Sequence, residues 1–197
     1  MEYFAFIVLI IVAIVILWLI TLFNKLVSLR NQVKNAWSQI DVQLQRRNDL
    51  IPNLVETVKG YMTYEKGTLE AVINARNQSV AARQEVEKSG GPTEGSIKKL
   101  LTAENALQGT LSHLFALSEN YPQLKANETM QRLQEELSST ENKIAFVRQA
   151  YNDQVMVYNT SQQEFPAVLI ASTFKHQPAE LYEVDSPESR KVVKVSF

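Results

Sequence analysis

Two histidines, His113 and His176, are the only imidazoles in a chain that has no cysteine, so the side chains that most often act as nucleophile, proton shuttle or metal ligand are nearly absent. Neither histidine follows a glutamate by three residues, which removes the Glu-x-x-His pairs that hold metal ions inside helical bundles. His113, set between leucines, reads as a packed or surface residue, and His176, beside Gln177 and Pro178, reads as solvated. No HExxH, Walker-type loop, GxSxG or dinucleotide glycine pattern occurs. The stretch Ser89-Gly90-Gly91-Pro92 is glycine-rich, but no strand signal precedes it, so it reads as a turn between helices rather than a phosphate cradle. The chain therefore reads as non-enzymatic, with no catalytic residue, metal or cofactor expected.

What remains for chemistry is a set of ionic and amide side chains on otherwise apolar stripes. Arg47, Glu65 and Arg76 fall at core positions of one stripe, and Glu104, Asn105, Glu141, Asn142 and Arg148 lie on or beside the facing ones. Both signs are represented, and an unpaired buried charge costs roughly 3–5 kcal/mol. The expected arrangement is a polar ladder that pairs these groups and fixes helix register.

The elements that must position this ladder are helices. Val33, Trp37, Ile40, Leu44, Ile51, Val55, Val58, Met62, Leu69 and Val72 recur, with Arg47 and Glu65 on the same stripe, at steps of three and four, the period of an amphipathic helix. Pro52 interrupts that stripe and predicts a kink or short break near Asp49 to Pro52. Gly90 and Gly91 end one helix, and Pro92, Thr93 and Glu94 start the next, which carries Ile97, Leu100, Leu107, Leu111 and Leu114 and stops at Tyr121-Pro122. Asn127 caps a further helix with Met130, Leu133, Leu137, Ile144, Tyr151 and Val155 in near-heptad spacing. The segment FPAVLIASTF predicts one more short helix packed on the bundle end. Short connections between long helices imply antiparallel neighbours. The expected fold is all-α: a single N-terminal transmembrane helix (1–24), an antiparallel up-and-down four-helix bundle (25–175) with coiled-coil-like packing, and a short extended or disordered tail (176–197). The alternating KVVKVSF at its end is not expected to persist as a lone strand.

The transmembrane assignment rests on the run from Tyr3 to Asn24, which holds no charged residue; about 20 apolar residues suffice to cross a bilayer as a helix. The run is too long and too evenly apolar for a cleaved leader, and no cysteine is present to accept a lipid. Tyr3, Phe4, Phe6, Trp18 and Phe23 suit the aromatic belts of the two interfaces. Lys25, Arg30, Lys34, Arg46 and Arg47 follow the run while only Glu2 and the amino group precede it, which predicts an external N-terminus and a cytoplasmic bundle. A formal net charge of −1 argues against nucleic acid as a partner.

The string NAWSQIDVQLQRRNDLIPNLVETVKGY, Asn35 to Tyr61, resembles the signature of the LemA family of bacterial membrane proteins. So do NARNQ from Asn74, AENAL from Ala103, and YPQLKANETMQRLQEELSSTENKIAFVRQAYNDQVMVYN from Tyr121 to Asn159. The resemblance implies a single-pass inner-membrane protein with a cytoplasmic helical bundle and no catalytic residues. Some family members sit genetically beside a membrane zinc metalloprotease of the heat-shock type, which implies a link to envelope quality control. The expected function is that of a scaffold or interaction protein: the bilayer, further copies of itself and another membrane protein such as that metalloprotease are its expected partners. Arg46, Asn48, Asp49, Asn53, Tyr121, Pro122, Lys125 and Asn127 are the expected contact residues, because they have no evident core duty and flank the Pro52 bend or a helix-helix loop. The alternative is a single-pass sensor whose helical stalk transmits a change in the bilayer.

Overall fold

A computed structural model describes residues 1–183. Among them the chain is all helical, with no strand: α1 Glu2–Lys59, α2 Lys66–Lys88, α3 Glu94–Ser118, α4 Pro122–Lys125, α5 Glu128–Gln163 and α6 Ala167–Thr173.

Helix α1 runs unbroken for 58 residues, with Pro52 inside it; at 1.5 Å per residue it is about 87 Å long. The break expected near Pro52 is not there. A proline lacks the N–H that would serve the carbonyl four residues back, here that of Asn48. The structure supplies another donor, because Arg76 Nε of α2 reaches Asn48 O at 3.2 Å. The chain reverses further on, from Gly60 to Glu65, where the amides of Tyr61 and Met62 both donate to Val58 O at 2.9 and 3.0 Å. Met62 is fully buried in that turn, so it matched the helical stripe while plugging the end of the core.

The other ends follow local chemistry. Gly90 takes φ 77, a left-handed conformation that glycine adopts without penalty, and Gly91 N–H then closes onto Val86 O at 3.1 Å in the manner of a helix C-terminal wrap. Thr93 Oγ1 accepts from Ser96 N while Ser96 Oγ accepts from Thr93 N, a reciprocal cap. Asn127 Oδ1 accepts from Met130 N at 3.0 Å to start α5.

Packing divides into three apolar clusters. Ile51, Leu54 and Val58 of α1 meet Leu69 and Val72 of α2, Leu107, Leu111 and Leu114 of α3, and Met130, Leu133 and Leu137 of α5. Nearer the apolar run, Val33, Ile40 and Leu44 meet Val86, then Ile97 and Leu100, then Ile144, Tyr151, Val155 and Tyr158. Leu26 packs with Ala167, Ile170 and Ala171 of α6, flanked by Leu22 and Phe23. Each fully buried Leu, Ile or Val contributes roughly 1.5–3 kcal/mol.

The start of α1 makes no such contacts. Its most apolar window has mean hydropathy 3.4 with none of it buried, whereas a core helix of this character would be enclosed. It is one helix long and apolar enough to cross a membrane, and it continues past residue 24 into the packed body without interruption.

After α6 the chain turns at Lys175, φ 53, and residues 176–183 lie as an irregular strap along α5. Two amides seven residues apart hold it. Asn159 Oδ1 accepts from Ala179 N and its Nδ2 donates to Ala179 O, both at 2.9 Å; Asn152 Oδ1 accepts from Tyr182 N at 2.8 Å and its Nδ2 donates to Tyr182 O at 3.4 Å. The segment KVVKVSF lies outside the described residues.

Candidate functional site

The only charged side chains buried among the described residues are Arg47 and Glu104, and they face each other between the two larger apolar clusters. Arg47 projects from α1 between Leu44 and Ile51, and its Nη2 pairs with Glu104 Oε2 of α3. Its Nη1 donates to Glu141 Oε2 of α5 at 2.7 Å. The other Glu104 oxygen, Oε1, accepts from Ser79 Oγ of α2 at 2.5 Å, and Ser79 also exchanges hydrogen bonds with the buried amide of Asn48. All four long helices thus contribute to a single centre, α1 with Arg47 and Asn48 and the others with one polar group each. Arg76, half-buried, joins through Asn48 O.

The remaining ladder residues stand apart from this centre. Glu65 is the N-cap residue of α2, while Asn105, Asn142 and Arg148 are exposed. Ser79 and Asn48 complete the centre instead, and no spacing argument singled them out as such. A second pair, Arg83 Nη1 to Asp41 Oδ1 at 2.9 Å, ties α2 to α1 from positions whose partners only the folded register brings together.

The expected contact residues divide sharply. Asn48 is fully buried and belongs to the polar centre. Arg46, Asp49 and Asn53 are exposed on α1, with Asp49 Oδ1 accepting from Gln45 Nε2 at 2.7 Å. Around the short α4, Tyr121 packs at the edge of the first cluster, Pro122 opens the helix, Lys125 Nζ pairs with Glu119 at 2.7 Å, and Asn127 Nδ2 donates to Tyr61 Oη at 3.1 Å besides capping α5.

The strap lies on the side of the centre nearer the apolar run, where its Tyr182 joins the second cluster. Tyr182 is buried and lies 6.0 Å, ring to ring, from Trp37, which meets Tyr151 at 5.7 Å. Burial pushes the Tyr182 phenol up to about 12, an effect opposed by the Arg47 and Arg148 guanidiniums and reinforced by Glu141. Burial likewise raises the Tyr151 phenol, with Glu180 adding to it, and Tyr151 Oη donates to Glu180 O at 2.7 Å. His176 is not the solvated residue expected of it: its Nδ1 lies 3.1 Å from Tyr158 Oη and its ring stands 6.3 Å from Phe23. Partial burial, then the nearby Arg30 charge, lowers its affinity for a proton. His113 is exposed. An open groove of about 630 Å³ beside the strap is lined by Arg30, Lys34, Trp37 and Asp41 among others, with both signs and no convergent donor set. Among the described residues no group of three or more His, Asp or Glu side chains is placed to hold a metal ion.

A long exposed apolar helix feeding a helical body locked by an internal charge centre defines a class, that of membrane-associated helical proteins. The LemA family model matches residues 36–197, and the chain belongs to the LemA family. It is 26% identical over 158 residues to magnetosome protein MamQ of Magnetospirillum gryphiswaldense, covering 73% of this chain and 58% of that protein. It is 25% identical to magnetosome protein MamQ 2 of Paramagnetospirillum magneticum, with 82% and 64% covered, and 25% identical to protein LemA of Metamycoplasma hominis, with 87% and 71% covered. The chain spans about three-fifths of the length of the MamQ relatives it matches.

Proposed function

We propose that this chain is a non-enzymatic scaffold of the bacterial inner membrane. Its span is anchored with the N-terminus outside, and the long helices form an antiparallel up-and-down bundle in the cytoplasm. The bundle associates with copies of itself and with another membrane protein in envelope quality control. One observation carries the reading: Arg47 and Glu104 pair with each other through Nη2 and Oε2, and with Glu141 and Ser79 through Nη1 and Oε1, which favours a register lock over a substrate site. The bundle topology is supported by the clusters, in which Val33 to Leu44, nearer the apolar run than the rest of the packed part of α1, meet residues late in α2 and α5 and early in α3. The LemA and MamQ relatives support membrane association. Crosslinking the full chain in native membranes, followed by pull-down, tests the scaffold role. Capture of a defined membrane partner, weakened when Asp49 and Lys125 are both replaced, is expected; a chain that crosslinks to nothing would refute it.

A second reading, a membrane sensor, draws on a different observation. Because α1 is a single helix from Glu2 to Lys59, a tilt of the span would be carried into the bundle without a flexible joint. Inserting a pair of glycines near Ser28 would abolish such coupling and leave scaffold contacts intact.

A further inference from the structure

The ten residues from Phe165 to Phe174 hold no charge, and α6 is apolar on more than its packed side. Ala167, Ile170 and Ala171 face Leu22, Phe23 and Leu26 at the point where the apolar run of α1 ends. Phe165 stays 82%, Leu169 59% and Phe174 60% exposed, with Val168, Ser172 and Thr173 exposed beside them. The Phe174 ring sits 4.7 Å from that of Phe23. This exposed surface is continuous with that of the span, where Trp18, Leu19 and Ile20 are also uncovered. Lys25 and Arg30 on α1 and Lys175 just after α6 are exposed, as is the acidic Glu164 just before Phe165.

We propose that α6 is a second membrane contact, lying in the headgroup region of the leaflet from which α1 emerges and inserting Phe165, Val168, Leu169 and Phe174 toward the acyl chains. The occupant of this face is the phospholipid bilayer. Residues 22 to 26 of α1 span about 6 Å, which matches the roughly 5–10 Å depth at which interfacial helices ride. A one-point anchor becomes a two-point anchor, which sets the tilt of the helical body against the membrane, and the flanking cations favour anionic headgroups. The inference rests on the reading of α1 as a membrane span.

Because the chain has no cysteine, a single environment-sensitive label can be placed at will on the full-length protein in nanodiscs of phosphatidylcholine and phosphatidylglycerol. Labels at Leu169→Cys and Phe165→Cys report α6, Val12→Cys reports the middle of the span, and Phe146→Cys, exposed on α5, reports water. Lipids carrying a quencher near the headgroup should quench 169 and 165, at the depth where interfacial helices ride, quenchers deep in the chains should act on 12, and neither should act on 146. Quenching at 12 without quenching at 169 and 165 overturns the proposal while the span stands. No quenching at 12 overturns the span itself. A blue-shifted but unquenched label at 169 and 165 means that protein covers the face, and also overturns the proposal. All these positions are exposed, and an unchanged helical circular dichroism spectrum verifies that each labelled chain is folded.

Discussion

Glu104→Ala should cut directly into the charge centre. The carboxylate is buried, pairs with Arg47 Nη2 and accepts from Ser79 Oγ. Its loss leaves Arg47, 3% exposed, with Glu141 alone as a carboxylate partner, and Glu141 is partly solvated. Breaking a buried pair from one side costs roughly 3–5 kcal/mol, and the surviving Glu141 contact places this case near about 3 kcal/mol. For a chain of this size that is a fall of about 6–12 °C in Tm, read by far-ultraviolet circular dichroism of the full chain in detergent micelles. Replacing both partners, Arg47→Met with Glu104→Leu, removes the orphaned charge and should restore most of the loss, since well-packed apolar substitutes for a buried pair are often neutral. Glu104→Gln should fall between, keeping an acceptor for Ser79 without the charge. A single variant that shifts Tm by less than about 2 °C, or a double variant worse than the single, would refute the centre as a register lock.

Arg76→Ala should destabilise less, about 1 kcal/mol, and the cost should shrink in a Pro52→Ala background, where a restored N–H serves Asn48 O; additive effects in the double-mutant cycle would contradict the proline compensation. Asn152→Ala and Asn159→Ala each remove a two-way amide pairing and should speed hydrogen exchange at Tyr182 and Ala179 respectively, with helix content unchanged; unaltered exchange would show that the strap is held by other contacts. The folded state binds the His176 proton less readily than the unfolded chain, whose ordinary value is 6.5, so the unfolded state carries more protons as pH falls. Stability contributed around this group is therefore full above about pH 6.5 and declines on acidification below it, and His176→Gln should flatten that part of a Tm-against-pH curve; an equal slope in both proteins would remove His176 from the account.

The helices and their caps at Thr93 and Asn127 were legible in the sequence because capping and apolar periodicity are local. The long uncovered apolar helix before Asn24 was legible because an uncharged run is read from neighbouring residues alone. The short break allowed for at Pro52 does not occur, since the Asn48 carbonyl it would orphan is served by a side chain of α2 that the sequence alone does not bring there. Met62 misled, matching a helical stripe from inside a turn. Of the candidate site, Arg47, Glu104 and Glu141 were visible as charges on apolar stripes, yet Asn48 and Ser79 were not, because a small polar residue on such a stripe carries no mark of its partner. The strap was missed as a docked element: it depends on Asn152 and Asn159 meeting backbone amides some 20 to 30 residues later, a match with no periodic signature.

A membrane scaffold must first assemble in the bilayer. Mass photometry of the full chain in lipid nanodiscs, beside a chain that begins at Ser28, tests it. A defined oligomer that requires the span is the result expected of a membrane scaffold. A monomer in both, with no membrane protein crosslinked to the full chain, would contradict it.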